Sequence, residues 1–161
     1  MSGRFRKLPP VCLVFALGSL VTGNIRVSNA YVDSIVDGES GEHFRVFRNI
    51  RTRKGEHVGE EVVFVVRFKF ARLSFRANKL ASIIPMLLIA GFPGFRQKIY
   101  AVNSQTGYWQ GMYQWRSEAD LQEYLQSFVY RMMNRRALDN SLTTRVYPGK
   151  TIEELINSFM P

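Results

Sequence analysis

Residues 61–70, EVVFVVRFKF, decide the fold. Val62, Phe64, Val66, Phe68 and Phe70 recur at every second position, with Val63, Val65, Arg67 and Lys69 between them. This is the period of a strand, whose side chains alternate between two faces. A strand buried on at least one face is expected. After it, Ser74 is placed to cap a helix in which Ala77, Leu80, Ala81, Ile84, Leu87 and Leu88 follow helical spacing. Pro85 has no N–H to donate and its ring clashes one turn back, so that helix is expected to kink or shorten there. Gly91-Phe92-Pro93-Gly94 stops it. Phe95–Asn103 and Tyr108–Trp115 read as antiparallel strands joined by residues 104–107, with Gly107 supplying a positive φ. Ser117 opens a second helix in capping-box fashion, with Asp120 in place of the usual Glu or Gln. Leu121, Tyr124, Leu125, Phe128, Val129, Met132 and Met133 form its inward stripe, while Arg131, Arg135 and Arg136 sit near its negative pole. Ser141–Tyr147 is a fourth strand, ended by Pro148-Gly149, and Thr151 begins a short last helix. The order β-α-β-β-α-β is that of a ferredoxin-like α+β fold, an antiparallel sheet with two helices on one face. The other face would be bare, and a bare apolar patch of more than a few hundred Å² is uncommon on a monomer. That face is therefore expected to be buried in use.

Upstream of this domain (residues 61–161), residues 31–60 read as a connector. Tyr31–Gly41 is short and acidic, and His43–Arg51 alternates, with Phe44, Val46 and Arg48 on one side and Arg45, Phe47 and Asn49 on the other. An accessory strand turned at Arg53-Lys54-Gly55 fits this pattern. Residues 1–30 have the layout of a secretory signal: Arg4, Arg6 and Lys7, then the apolar run Val11–Val21, then Ser28-Asn29-Ala30. The run is too short for a bilayer span, which needs roughly 20 residues. An exported or membrane-tethered protein is expected, the alternative being an intracellular one with its start assigned too far upstream.

Composition narrows the chemistry. The 161 residues carry a net charge of +9, and 46% of them are hydrophobic. One cysteine, Cys12, excludes an internal disulfide or a thiolate metal cluster, and two histidines, His43 and His57, make no metal-binding spacing. A protein-ligated transition metal is not expected. The segment Glu42–Lys79 holds ten Lys/Arg against four Glu, so most of the positive charge is clustered there. An acidic surface or an anionic substrate is the simplest partner.

Gly91-Phe-Pro-Gly-Phe-Arg-Gln-Lys-Ile-Tyr100, Thr106-Gly107 and Gly111-Met-Tyr-Gln-Trp115 resemble the YdhR-type monooxygenase family of the dimeric α+β barrel superfamily, over about Glu61 to Tyr147. In that family a Pro-Gly-Phe turn enters a strand carrying a lysine, which falls on Lys98. The hairpin returns through a glycine-rich apolar stretch, matched by residues 110–115 except at Gln110 and Gln114, where small and apolar residues are usual. The resemblance implies a homodimer whose two sheets pack face to face into a barrel, and a pocket between each sheet and its helices. It also implies oxygenation of a small aromatic or polyketide-like substrate without metal or flavin, the substrate being deprotonated and itself reducing dioxygen. Lys98 and Tyr113 are then the catalytic candidates. Arg96, Tyr100, Trp109, Gly111 and Trp115 are the substrate-binding ones, with Gly111 leaving room for the ligand between large neighbours. Strand alternation is expected to gather Arg96, Lys98 and Tyr100 on one face, and Trp109, Gly111, Tyr113 and Trp115 on one face of the next strand. The absence of histidine from residues 61–161 argues against haem degradation.

Two other classes fit parts of the pattern. RNA-recognition domains share the element order, but Thr106, Trp109 and Gln110 stand where their third-strand motif needs a basic, a small and a stacking residue, so nucleic acid is not the expected partner. An anionic membrane surface is the other. Arg67, Lys69, Arg72, Arg76 and Lys79 occur without an acidic residue among them and precede the apolar Leu80–Phe92.

Overall fold

The computed structural model describes residues 9–38, 41–53, 60–70 and 74–159. Its elements in chain order are α1 (Pro9–Val21), β1 (Ile25–Ser28), β2 (Ile35–Asp37), β3 (His43–Thr52), β4 (Val62–Phe68), α2 (Phe75–Ala81), α3 (Ile83–Ala90), β5 (Phe95–Val102), β6 (Trp109–Trp115), α4 (Glu118–Leu125), α5 (Phe128–Asn134), β7 (Thr143–Pro148) and α6 (Ile152–Phe159). The strands form one sheet in the order β1-β3-β5-β6-β4-β7, with β2 also paired to β3 and every pairing antiparallel. Within it, β5-β6-β4-β7 with the helices that follow β4 and β6 is the expected ferredoxin-like unit. Arg4, Arg6, Lys7, Lys54, Gly55, His57 and Arg72 lie outside the described residues.

The period-two stretch is buried on both faces. Val62, Phe64, Val66 and Phe68 join the core under the helix layer, and Val63 and Val65 join a second core on the opposite side. The hairpin between β5 and β6 turns as expected, with Gly107 at φ 76°. Each expected helix is divided in two, the first near the expected break at Pro85 and the second without a sign in the sequence. At the first break Ser82 ends α2 and begins α3, which puts Pro85 in the first turn of a new helix, where its missing N–H has no partner to lose. At the second, the Ser127 hydroxyl accepts from the Tyr130 amide and starts α5 afresh. This rotates Phe128 out of the inward stripe, and it is half exposed, whereas Leu121, Tyr124, Val129 and Met133 are buried.

The second sheet face is not bare. Val63, Val65, Ile99, Ala101 and Met112 are covered by Ile152, Leu155 and Ile156 of α6, and by Val36 of β2 and Phe44 of β3. On this face the chain's own α6 therefore buries these residues of the sheet. Gln114 explains how: its Oε1 accepts from the Ile152 amide (3.0 Å) and its Nε2 donates to Glu61 (2.5 Å), which pins the start of α6 to the sheet. Gln110 accepts from Arg67 Nε (2.6 Å) on the same face. Of the two residues that depart from the family pattern, Gln114 is therefore a polar anchor of the in-chain cover, and Gln110 is the cross-strand partner of Arg67.

The sheet also draws strands from residues 25–52, which the sequence reading assigns to leader and connector. The apolar run forms α1, whose Cys12 and Ala16 are buried and which packs on α3. Among the described residues no helix is long and apolar enough to cross a membrane.

Candidate functional site

The central hairpin sets the geometry. In register, Lys98 faces Tyr113 and Tyr100 faces Gly111, so neighbouring strands place these side chains on the same face, under the helices. The Lys98 side chain is fully buried, with Nζ 3.9 Å from the Tyr100 ring centroid and 4.1 Å from that of Tyr113. Among the described residues no carboxylate pairs with it. Burial first, and repulsion from Arg48 second, hold its pKa well below the ordinary lysine value. Each ring face returns about 2 kcal/mol or more to a desolvated ammonium, against a penalty of several kcal/mol for taking the ion from water. Burial therefore shifts Lys98 toward the neutral amine relative to an exposed lysine.

Phenols surround it. Burial raises the pKa of Tyr100, Tyr113 and Tyr124, so all three keep their protons. The Tyr124 hydroxyl donates to that of Tyr113. Among the described residues the Tyr100 hydroxyl and Trp115 Nε1 are buried without a hydrogen-bond partner, an arrangement that costs stability and is uncommon in folded proteins. Trp115 stacks on Tyr124 at 4.8 Å and 27°, while Phe92 meets both edge-on. Phe64 and Tyr130 complete the ring cluster.

The structure gathers some of the expected site residues and separates others. Lys98, Tyr100, Tyr113 and Trp115 converge. Gly111 lies among them, but the room it leaves is taken by the Tyr113 ring: a Cβ there would come within 2.8 Å of it. Trp109 shares the face yet packs at the far end, against Phe47 (5.2 Å) and Phe70 (5.0 Å). Arg96 is not with Lys98. A bulge between Phe95 and Gln97 breaks the alternation, and Arg96 pairs instead with Glu61 (3.8 Å) beside Gln114.

Arg48 is a site residue that strand alternation misplaces. A second bulge, between Val46 and Arg48, sets Arg48 opposite Tyr100, its guanidinium 5.5 Å from the ring centroid and held by Ser82 Oγ (2.8 Å) and the Lys79 carbonyl (3.2 Å). Phe92, Tyr124 and Tyr130 were also missed. Tyr124 reads as one more core position on a helical stripe, and nothing local marks it as facing a lysine. Beyond Phe92, a cleft of about 540 Å³ opens between α1 and the 91–95 turn, lined by Phe15, Ser19, Thr52, Phe95, Arg96 and Arg116 among others. Phe92 lines this cleft and also packs on Trp115 and Tyr124. Among the described residues no three His, Cys, Asp or Glu gather as a metal site.

The fold is that of monooxygenase-like proteins. A ferredoxin-fold protein related to antibiotic biosynthesis monooxygenases from Listeria monocytogenes is 11% identical over 84% of this chain and 88% of that one, with a TM-score of 0.54. A monooxygenase-like protein from Listeria innocua is 12% identical over 77% and 91%, at 0.52. A haem-degrading enzyme from Listeria monocytogenes is 13% identical over 77% and 96%, at 0.51. At such identities the likeness concerns the fold alone. No protein-family model matches the chain, and no curated protein matches it significantly.

Proposed function

We propose that this chain is a YdhR-like monooxygenase that needs no cofactor and acts on a small aromatic or polyketide-like molecule with an acidic C–H bond. One observation carries the reading: a fully buried lysine, its pKa lowered by burial, clamped between two protonated tyrosines. A neutral amine is a base, and its buried position makes it a usable one near neutral pH. Lys98 Nζ takes the proton from a CH₂ group flanked by a carbonyl or an aryl ring. The Tyr100 hydroxyl, which has no partner of its own, donates to the oxygen on which the negative charge collects. The carbanion reduces dioxygen, both oxygen atoms are taken up as a hydroperoxide, and loss of water leaves a ketone, so CH₂ and O₂ become C=O and H₂O. Lys98 returns its proton in the last stage. The 540 Å³ cleft is large enough for a ring system, and Phe92 is the partition a substrate displaces to reach the lysine. Tyr113, lying over Gly111, moves with it.

Oxygen uptake with activated methylene and phenolic substrates tests this. The expected result is turnover that Lys98→Met abolishes while the fold is kept. A substrate that binds and is consumed equally by Lys98→Met removes the lysine from the chemistry. Tight binding with no oxygen uptake for any such substrate favours a ligand-binding protein built on the same site.

A further inference from the structure

We propose that the outer surface of the helix layer docks on a membrane that carries anionic lipids. The layer is apolar where a helix of a water-soluble domain is usually charged. Val14, Leu17 and Val21 of α1 are 69%, 48% and 89% exposed, and Leu80, Ile83 and Ile84 at the junction of α2 and α3 are 70%, 36% and 64% exposed. The two groups lie on helices that pack together: α1 rests on α3, and the Cys12 carbonyl sits so close to Gly91 that no side chain fits there. Single exposed aliphatics are ordinary, but six on one layer mark a surface that is covered in use.

Charge selects the occupant. No Asp or Glu occurs in residues 1–32 or in residues 62–117, so α1, α2 and α3 carry no acidic side chain. Arg76 and Lys79 of α2 are exposed beside Leu80. An anionic lipid surface offers this layer apolar depth and opposite charge together. A second copy of the chain would set the same cations against each other across a twofold axis. With no helix among the described residues able to cross a bilayer, the binding is peripheral. It would set the 540 Å³ cleft, whose rim includes Phe15 and Ser19 of α1, at the lipid boundary, where an apolar ring compound is concentrated.

The test is co-sedimentation of the full chain with phosphatidylcholine vesicles, with and without phosphatidylglycerol. Binding is expected only with phosphatidylglycerol, and it should weaken with salt. Each cation near such a surface contributes about fivefold to partitioning, so Arg76→Gln combined with Lys79→Gln is expected to weaken binding about 25-fold. Leu80→Asn with Ile84→Asn is expected to weaken it by at least tenfold at an unchanged circular dichroism spectrum, since both residues are on the surface. Equal binding to both vesicle types, no binding to either, or variants that bind as the wild type would overturn the proposal. So would a dimer in solution that Leu80→Asn with Ile84→Asn splits, because a second copy would then own the face.

Discussion

Replacing Lys98 by Met keeps an unbranched side chain of similar reach in the same buried slot and removes the amine, which isolates the energetic consequence of its protonation. In the unfolded chain Lys98 titrates near 10.5, and in the folded chain well below it. Between those two values the unfolded chain holds a proton that the folded chain lacks, so folding releases one proton and the stability of the wild type rises with pH. The slope is about 1.4 kcal/mol per pH unit. As pH falls the contribution is lost, and the loss stops only below the folded-state value. The buried tyrosines titrate in both proteins, so the difference between wild type and Lys98→Met cancels them. Urea unfolding followed by tryptophan fluorescence from pH 7.5 to pH 9.5 reads that difference. The advantage of Lys98→Met over the wild type should shrink as pH rises, by up to about 1.4 kcal/mol for each unit. Two curves that stay parallel across the range would refute a neutral, buried Lys98.

Further outcomes follow from other parts of the molecule. Gly91→Val drives a side chain into the Cys12 carbonyl. It should cost about 1–3 kcal/mol and make the thiol of Cys12, the chain's one cysteine, reactive toward a disulfide reagent from which the wild type is protected. Tyr124→Phe removes the hydrogen bond donated to Tyr113 and should cost about 1 kcal/mol in the same urea assay. Ending the chain after Gly149 uncovers Val63, Val65, Ile99 and Met112, and light scattering should show the shortened chain self-associating while the full chain keeps its mass.

The order of the ferredoxin-like unit, β5-β6-β4-β7, was legible because each of its strands announces itself within a few residues: EVVFVVRFKF by its period, the hairpin by Gly107, the last strand by its β-branched run. What was not legible depends on contacts distant in sequence. The cover on the second sheet face comes from residues 152–156 meeting Ile99 and Met112, and its sign in the sequence was only that Gln110 and Gln114 are polar where apolar residues are usual. Lys98 and its tyrosine neighbours were found because they alternate on paired strands. Arg48 and Arg96 were misplaced for one shared reason: a bulge inserts a residue without changing the composition, and period-two counting passes through it unaware. The first helix break was announced by Pro85, whereas the second was not, because Ser127 fits within a helical stripe and acts as a cap only when the backbone turns away.

Carbon-13 labelling of the lysine side chains, followed by NMR through a pH titration, addresses Lys98 directly, since the chain has six lysines and Lys98→Met assigns the one in question. The resonance absent from Lys98→Met should titrate well below the ordinary lysine value and shift when a substrate binds. Six resonances titrating together would mean that Lys98 is an ordinary ammonium, and that the base in this site has to be sought elsewhere.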